Sequence, residues 1–207
     1  MTLSKEEFKI LDKAYMKLKE EMTDDVVTGA LQILNELRSY EDQWQGENSL
    51  ELIDIYASEK ADFISASGLA RIFLPDFKVF LSNDSTVKRI KQLYELEQSA
   101  LSNDFSKAAK IRGIGLLSHL DDCSELFQHG RPVLYTNRML VMIFLDLFTT
   151  IADDRKLNVV KRKLNVRQSN FEYAQYSIRE KVNKYIKEKG IDFENRFTQA
   201  AIAWYID

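Results

Sequence analysis

LNVVKRKLNVRQSNFEYAQYSIREKVNKYIK, residues 157–187, is the stretch on which the reading of this chain turns. Its apolar positions are Leu157, Val160, Leu164, Val166, Phe171, Ala174, Ile178, Val182 and Ile186. Val160 and Leu164 lie one helical turn apart, and Phe171, Ala174, Ile178 and Val182 repeat at helical spacing. Between the two runs the register breaks near Asn165, where a short turn would bring Val166 inward. The expected local structure is a short helix, a tight turn and a longer helix with polar residues at its start.

Charge is concentrated in the same region. From Arg155 to Lys189 there are eleven basic residues against three acidic ones, Glu172, Glu180 and Glu188, a local charge of +8. The whole chain carries −3, which leaves −11 for the remainder. Such segregation suits one surface to a polyanion and another to repelling it. An ordinary basic hairpin with a solvated charged face would carry the same pattern.

The rest of the composition is that of a folded helical protein. The chain has 207 residues, 45% of them apolar, enough for a core in one large or two small domains. Seven Gly and two Pro leave little turn punctuation for an all-β fold. The lone Cys123 cannot form an internal disulfide and fits a reducing compartment. The charged start MTLSKEEFKILDK is unlike a signal peptide, and the apolar run Met139–Ile151 is too short to span a bilayer. A cytoplasmic protein without membrane association is expected.

Capping signals set the order of the elements. Ser4 and Glu7 have capping-box spacing for a first helix, and Thr23, Asp24 and Asp25 open a second. Glu41 to Asn48 reads as a loop, with a third helix from about Ser49. Pro75 is expected to stop the helical run holding Ile64, Leu69 and Ile72. Ser82 to Ser85 cap the next helix, and Asn103 and Asp104 cap one expected to run from Phe105 to about Leu120. His129 to Pro132 is the candidate linker, dividing an acidic helical domain, residues 1–129, from a basic one, residues 130–207. Thr136 or Asn137 would cap an apolar scaffold helix, and Gly190 has the position of a helix C-cap. Met139, Phe144, Leu147, Phe148, Leu164, Phe171, Ile178 and Val182 are expected to share one core. The expected fold is all-α: an N-terminal helical bundle and a C-terminal helix-turn-helix-like domain, with room for a small wing near Ile191 to Phe197.

The region Met139 to Gly190 resembles the helix-turn-helix superfamily of bacterial DNA-binding proteins. LNVRQSNFEYAQYSIREKVNKYIKEKGI is similar to the motif in which an apolar–Asn–Val turn precedes a recognition helix. The following "KGI" resembles winged-helix regulators of Gram-positive bacteria. One departure is Lys161, where the first motif helix usually carries a small residue. The resemblance implies a bacterial or phage transcriptional regulator that binds double-stranded DNA, and the acidic domain could mediate a homodimer. It places Arg167, Gln168, Ser169, Asn170, Tyr173 and Tyr176 on or near the start of the recognition helix. Gln168 and Asn170 would then pair with adenine and Arg167 with guanine. Lys161, Arg162, Lys163, Arg179 and Lys181 would contact phosphate.

Two other classes fit parts of the chain. The acidic domain could bind a protein partner, and an inhibitor or immunity factor would use it to mimic nucleic acid. Arg112 and His119 resemble the Arg-x4–6-His motif of HEPN ribonucleases, although Gly113 stands where that motif has a polar residue. Two His and one Cys offer no zinc spacing, and no Gly-rich loop is placed to cradle phosphate. The acidic pairs Asp121–Asp122 and Asp153–Asp154 fall at expected helix boundaries. No catalytic residue, metal or cofactor is expected, and the chain is read as a non-enzyme.

Overall fold

The computed structural model of the chain describes residues 2–41, 55–56, 71–99 and 104–207. Among these the regular elements are all helical, as expected, and no helix is long and apolar enough to cross a membrane. The expected loop at 41–48 and the third helix from Ser49 lie almost wholly outside the described residues.

Helix α1 spans Lys5–Glu21 and opens with the expected capping box. Ser4 Oγ accepts from the Glu7 N–H at 3.1 Å, and the Ser4 N–H donates to Glu7 Oε2 at 2.9 Å. Helix α2 spans Asp24–Glu41. A 3-10 turn, Arg71–Phe73, leads into α3, Leu74–Leu81. Pro75 therefore begins a helix; Ile64 and Leu69, in the run it was expected to stop, lie outside the described residues. The proline sits in the first turn, where a missing N–H leaves no hydrogen bond unmade. Asn83 caps α4, Asp84–Gln98, accepting from the Ser85 and Thr86 N–H groups.

The helix expected from Phe105 to Leu120 is two: α5, Asp104–Ile114, and α6, Leu116–Asp122. Gly115 divides them with φ of 70°, a left-handed conformation that glycine adopts without the Cβ clash. Helix α7 runs Val133–Ile143, earlier and shorter than expected, with Pro132 at its N-cap. The apolar residues from Phe144 onward form buried turns instead. Gln175 staples these turns to the following helix pair. Its Oε1 accepts from Thr149 N–H at 3.1 Å and Thr149 Oγ1 at 2.6 Å, and its Nε2 donates to the Ile151 carbonyl.

Helix α8, Asp154–Lys163, is capped by Asp153, and α9 spans Phe171–Lys189. No wing follows among the described residues. Residues 191–195 are irregular, and Asn195 caps a short helix α10, Arg196–Ala201, which a 3-10 turn, Ile202–Tyr205, extends.

Helix α9 is the axis of the fold. It packs against α5, α1, α8, α10 and the Ile202–Tyr205 turn. The eight residues expected in one core are all buried. The core is continuous across Gly130: α1 packs on both α9 and Ile202–Tyr205, and α2 on α10. Three polar contacts fasten α1 to α9. Tyr185 Oη donates to Asp12 Oδ1 at 2.8 Å, Lys189 Nζ to the same oxygen at 2.7 Å, and Lys181 Nζ to Glu7 Oε1 at 2.6 Å.

Candidate nucleic-acid interface

The end of α8 is built by local chemistry. Asn165 takes the left-handed conformation, φ 50°, just past the helix. The Val166 N–H reaches back to the Lys161 carbonyl at 2.8 Å and the Asn165 N–H to the Arg162 carbonyl at 3.3 Å. This pair of bonds is a Schellman closure, with Asn in the position that glycine usually takes. It turns Val166 into the core and leaves Arg162 and Lys163 exposed. Gly190 ends α9 in the same way, as the sequence predicts: its φ is 67°, and the Ile191 N–H bonds the Ile186 carbonyl at 3.1 Å. The connector from Leu164 to Asn170 is longer than the ~3–4-residue turn of a helix-turn-helix.

Beside this turn lies a groove of about 780 Å³. Its cationic lining is Lys161, Arg162, Arg167, Lys181 and Lys184, with Glu180 as the carboxylate. Leu3, Val166 and Tyr176 supply apolar surface, and Asn165, Gln168, Ser177 and Thr2 supply polar groups. Outside the lining, Glu7 accepts from two lining residues, Lys181 at 2.6 Å and Asn165 at 3.4 Å. Burial opposes the charge of Glu7, but hydrogen bonds from Lys181, the Ser4 N–H and Asn165 hold its carboxyl below the ordinary carboxylate value. Burial, helped by the Glu180 carboxylate, pushes the Tyr176 phenol up, so that ring stays neutral.

Six of the expected contact residues, Lys161, Arg162, Arg167, Gln168, Tyr176 and Lys181, line this groove. Lys163 and Ser169 are exposed beyond its lining, and Asn170 is half-buried at the N-cap of α9. Two expected phosphate contacts need correction. Arg179 is 3% exposed, and its Nε and Nη1 have no hydrogen-bond partner among the described residues. Burial lowers its pKa to about 10, against the pull of Asp146. Lys181 is 4% exposed and spends its charge on Glu7. Neither is placed to meet a phosphate on an outer surface.

The start of α9 also differs from a presented recognition helix. Phe171 and Glu172 are buried in its first turn. Burial raises the Glu172 carboxyl, opposed by its own backbone N–H and by Arg112. Tyr173 is stacked on Phe105 of α5, with ring centres 5.7 Å apart and planes at 12°, and the Arg112 guanidinium lies 5.3 Å from the centre of the Tyr173 ring. The outward-facing polar residues are on the connector. Thr2 and Leu3 join the lining without any sequence signal, because only the packing of α1 brings residue 3 to residue 166.

The remaining constellations divide. Arg112 lies over Tyr173, whereas His119 packs against the Phe80 ring and sets Nε2 3.5 Å from Cys123 Sγ. Gly115 places them on separate helices with separate partners. Burial pushes the Cys123 thiol up and the His119 imidazole down, which favours the neutral pair over thiolate and imidazolium. Among the described residues no three His, Cys, Asp or Glu side chains are grouped to hold a metal. A second cavity, of about 200 Å³, lies among Leu34, Tyr56, Tyr94, Met142 and Phe197, with Asp146 and Arg196 paired to each other at its lining. Glu97 is the other charged residue of its lining. Comparison with protein-family models, curated proteins and solved structures finds no match to this chain.

Proposed function

We propose that this protein binds nucleic acid by its phosphodiester backbone, in the groove beside the α8–α9 turn. The observation that carries the reading is the convergence of Lys161, Arg162, Arg167 and Lys184 on one concave surface. Cations brought together in a cleft release condensed counterions from a polyanion and focus its approach. Gln168, on the rim, adds an amide that can address a base edge. A transcriptional regulator would read duplex DNA with α9, but the first turn of α9 is buried, so backbone capture is the function favoured. For inhibition through an acidic surface, Glu7 and Asp12 of α1 are not available, being engaged by Lys181 and Lys189 within the molecule.

The test is anisotropy titration of the full chain with labelled DNA of mixed sequence, single-stranded and duplex, over a series of salt concentrations. Log affinity should fall linearly with log salt. If Lys161, Arg162 and Arg167 each neutralise one phosphate, replacing any of them by Ala should flatten the slope by about 0.7–0.9. Lys163→Ala, outside the lining, should change it less. Absence of binding to both forms at low salt would overturn the proposal.

A further inference from the structure

Resting on that reading, we infer that the groove takes an unpaired strand and lodges a base between Tyr176 and the apolar floor, rather than holding a duplex. Phosphate capture alone needs cations on a surface that follows the backbone. This groove has two features that such a task does not use. Leu3, Val166 and Tyr176 give it apolar and aromatic surface. Glu180 sets a carboxylate among the cations, where it repels phosphate but accepts hydrogen bonds from the N–H groups of a base edge. At about 780 Å³ the space falls within the ~300–1,000 Å³ of small-molecule sites.

The aromatic surface also continues out of the groove. The Tyr176 ring meets Phe105 edge-on at 5.9 Å, and Phe105 stacks on Tyr173. Phe105 is 55% exposed, and Arg112 lies over Tyr173. Rings and a guanidinium beside a cationic cleft are the elements of single-strand binding, in which bases stack and the backbone follows the charge. In a duplex the base faces are already stacked on one another, so these rings would find no partner there.

Three probes of equal length separate the outcomes for the full chain: a mixed-sequence DNA strand, its blunt duplex, and an abasic strand with the same number of phosphates. The intact strand should bind about tenfold more tightly than the abasic one, the scale of one base–aromatic stack, and more tightly than the duplex. Tyr176→Ala should remove most of the difference between intact and abasic strands, and Tyr176→Phe should keep it. Equal binding of intact and abasic strands, or tighter binding of the duplex, would overturn this inference and leave phosphate capture standing. Failure of all three probes to bind would overturn both.

Discussion

Glu7 and Lys181 lie 174 positions apart and are both nearly inaccessible, yet they form a 2.6 Å ion pair. The Glu7 carboxyl titrates below its ordinary value, so its contribution is complete above the ordinary carboxylate range and is lost as pH falls through the folded-state value. Glu7→Gln would leave the Lys181 cation uncompensated. We expect a loss of about 3 kcal/mol near neutral pH, the low end for a broken buried pair because Lys181 borders the groove. Denaturant titrations at about pH 7 and about pH 3.5 check this: the gap between wild type and variant should narrow in acid. Arg179 is the opposite case, a buried cation with Nε and Nη1 unpaired among the described residues. Arg179→Met replaces it with an apolar chain that can fill the same space. Stability should be unchanged or rise by about 1 kcal/mol, and DNA affinity should be unaltered. A salt slope that flattened in this variant would show that Arg179 does reach phosphate.

Helix α8 and the connector depend on Asn165. With φ at 50°, a Cβ-bearing residue lacking a compensating polar group is strained, whereas Asn tolerates the region and its amide also reaches Glu7 at 3.4 Å. Asn165→Ala should cost about 1–2 kcal/mol, and Asn165→Gly should cost less, because glycine adopts this conformation freely. Thermal melts of the two variants test the order; a less stable Gly variant would mean that the Glu7 contact outweighs the backbone. Much of this element level is legible in the sequence. Ser4 with Glu7, Asn83, and Gly190 are caps whose partners lie within a few residues, so spacing alone identifies them. The departures are also local in origin. Pro75 is compatible with either end of a helix, and Gly115 within an otherwise helical run gives no sign whether it will continue the helix or turn left-handed.

The molecule joins its two halves through α9. Residues 130–207 contain α9 but not α1, whose Leu11, Ala14 and Leu18 are buried in the shared core. A fragment of residues 130–207 should therefore lack the cooperative unfolding of the full chain, since it would expose the faces of α9 and Ile202–Tyr205 that α1 covers. Circular dichroism melts and binding of a hydrophobic dye compare the two. A fragment that melts sharply without binding dye would show that the C-terminal region is self-sufficient.

By itself the sequence determined the helical class, the α8–α9 pair with its turn at Asn165, and the eight-residue core. Each follows from spacings of three or four residues and from caps that act over one helical turn. Exposure was decided only by the tertiary structure. Lys161 and Lys181 are chemically alike in a basic stretch and both border the groove, yet one is half-exposed and the other is buried on Glu7. The difference is made by α1, more than 150 residues away in sequence, because a charge is solvated or paired according to what packs against it. The same packing brought Leu3 to Val166 and so made a basic turn into a groove with an apolar floor.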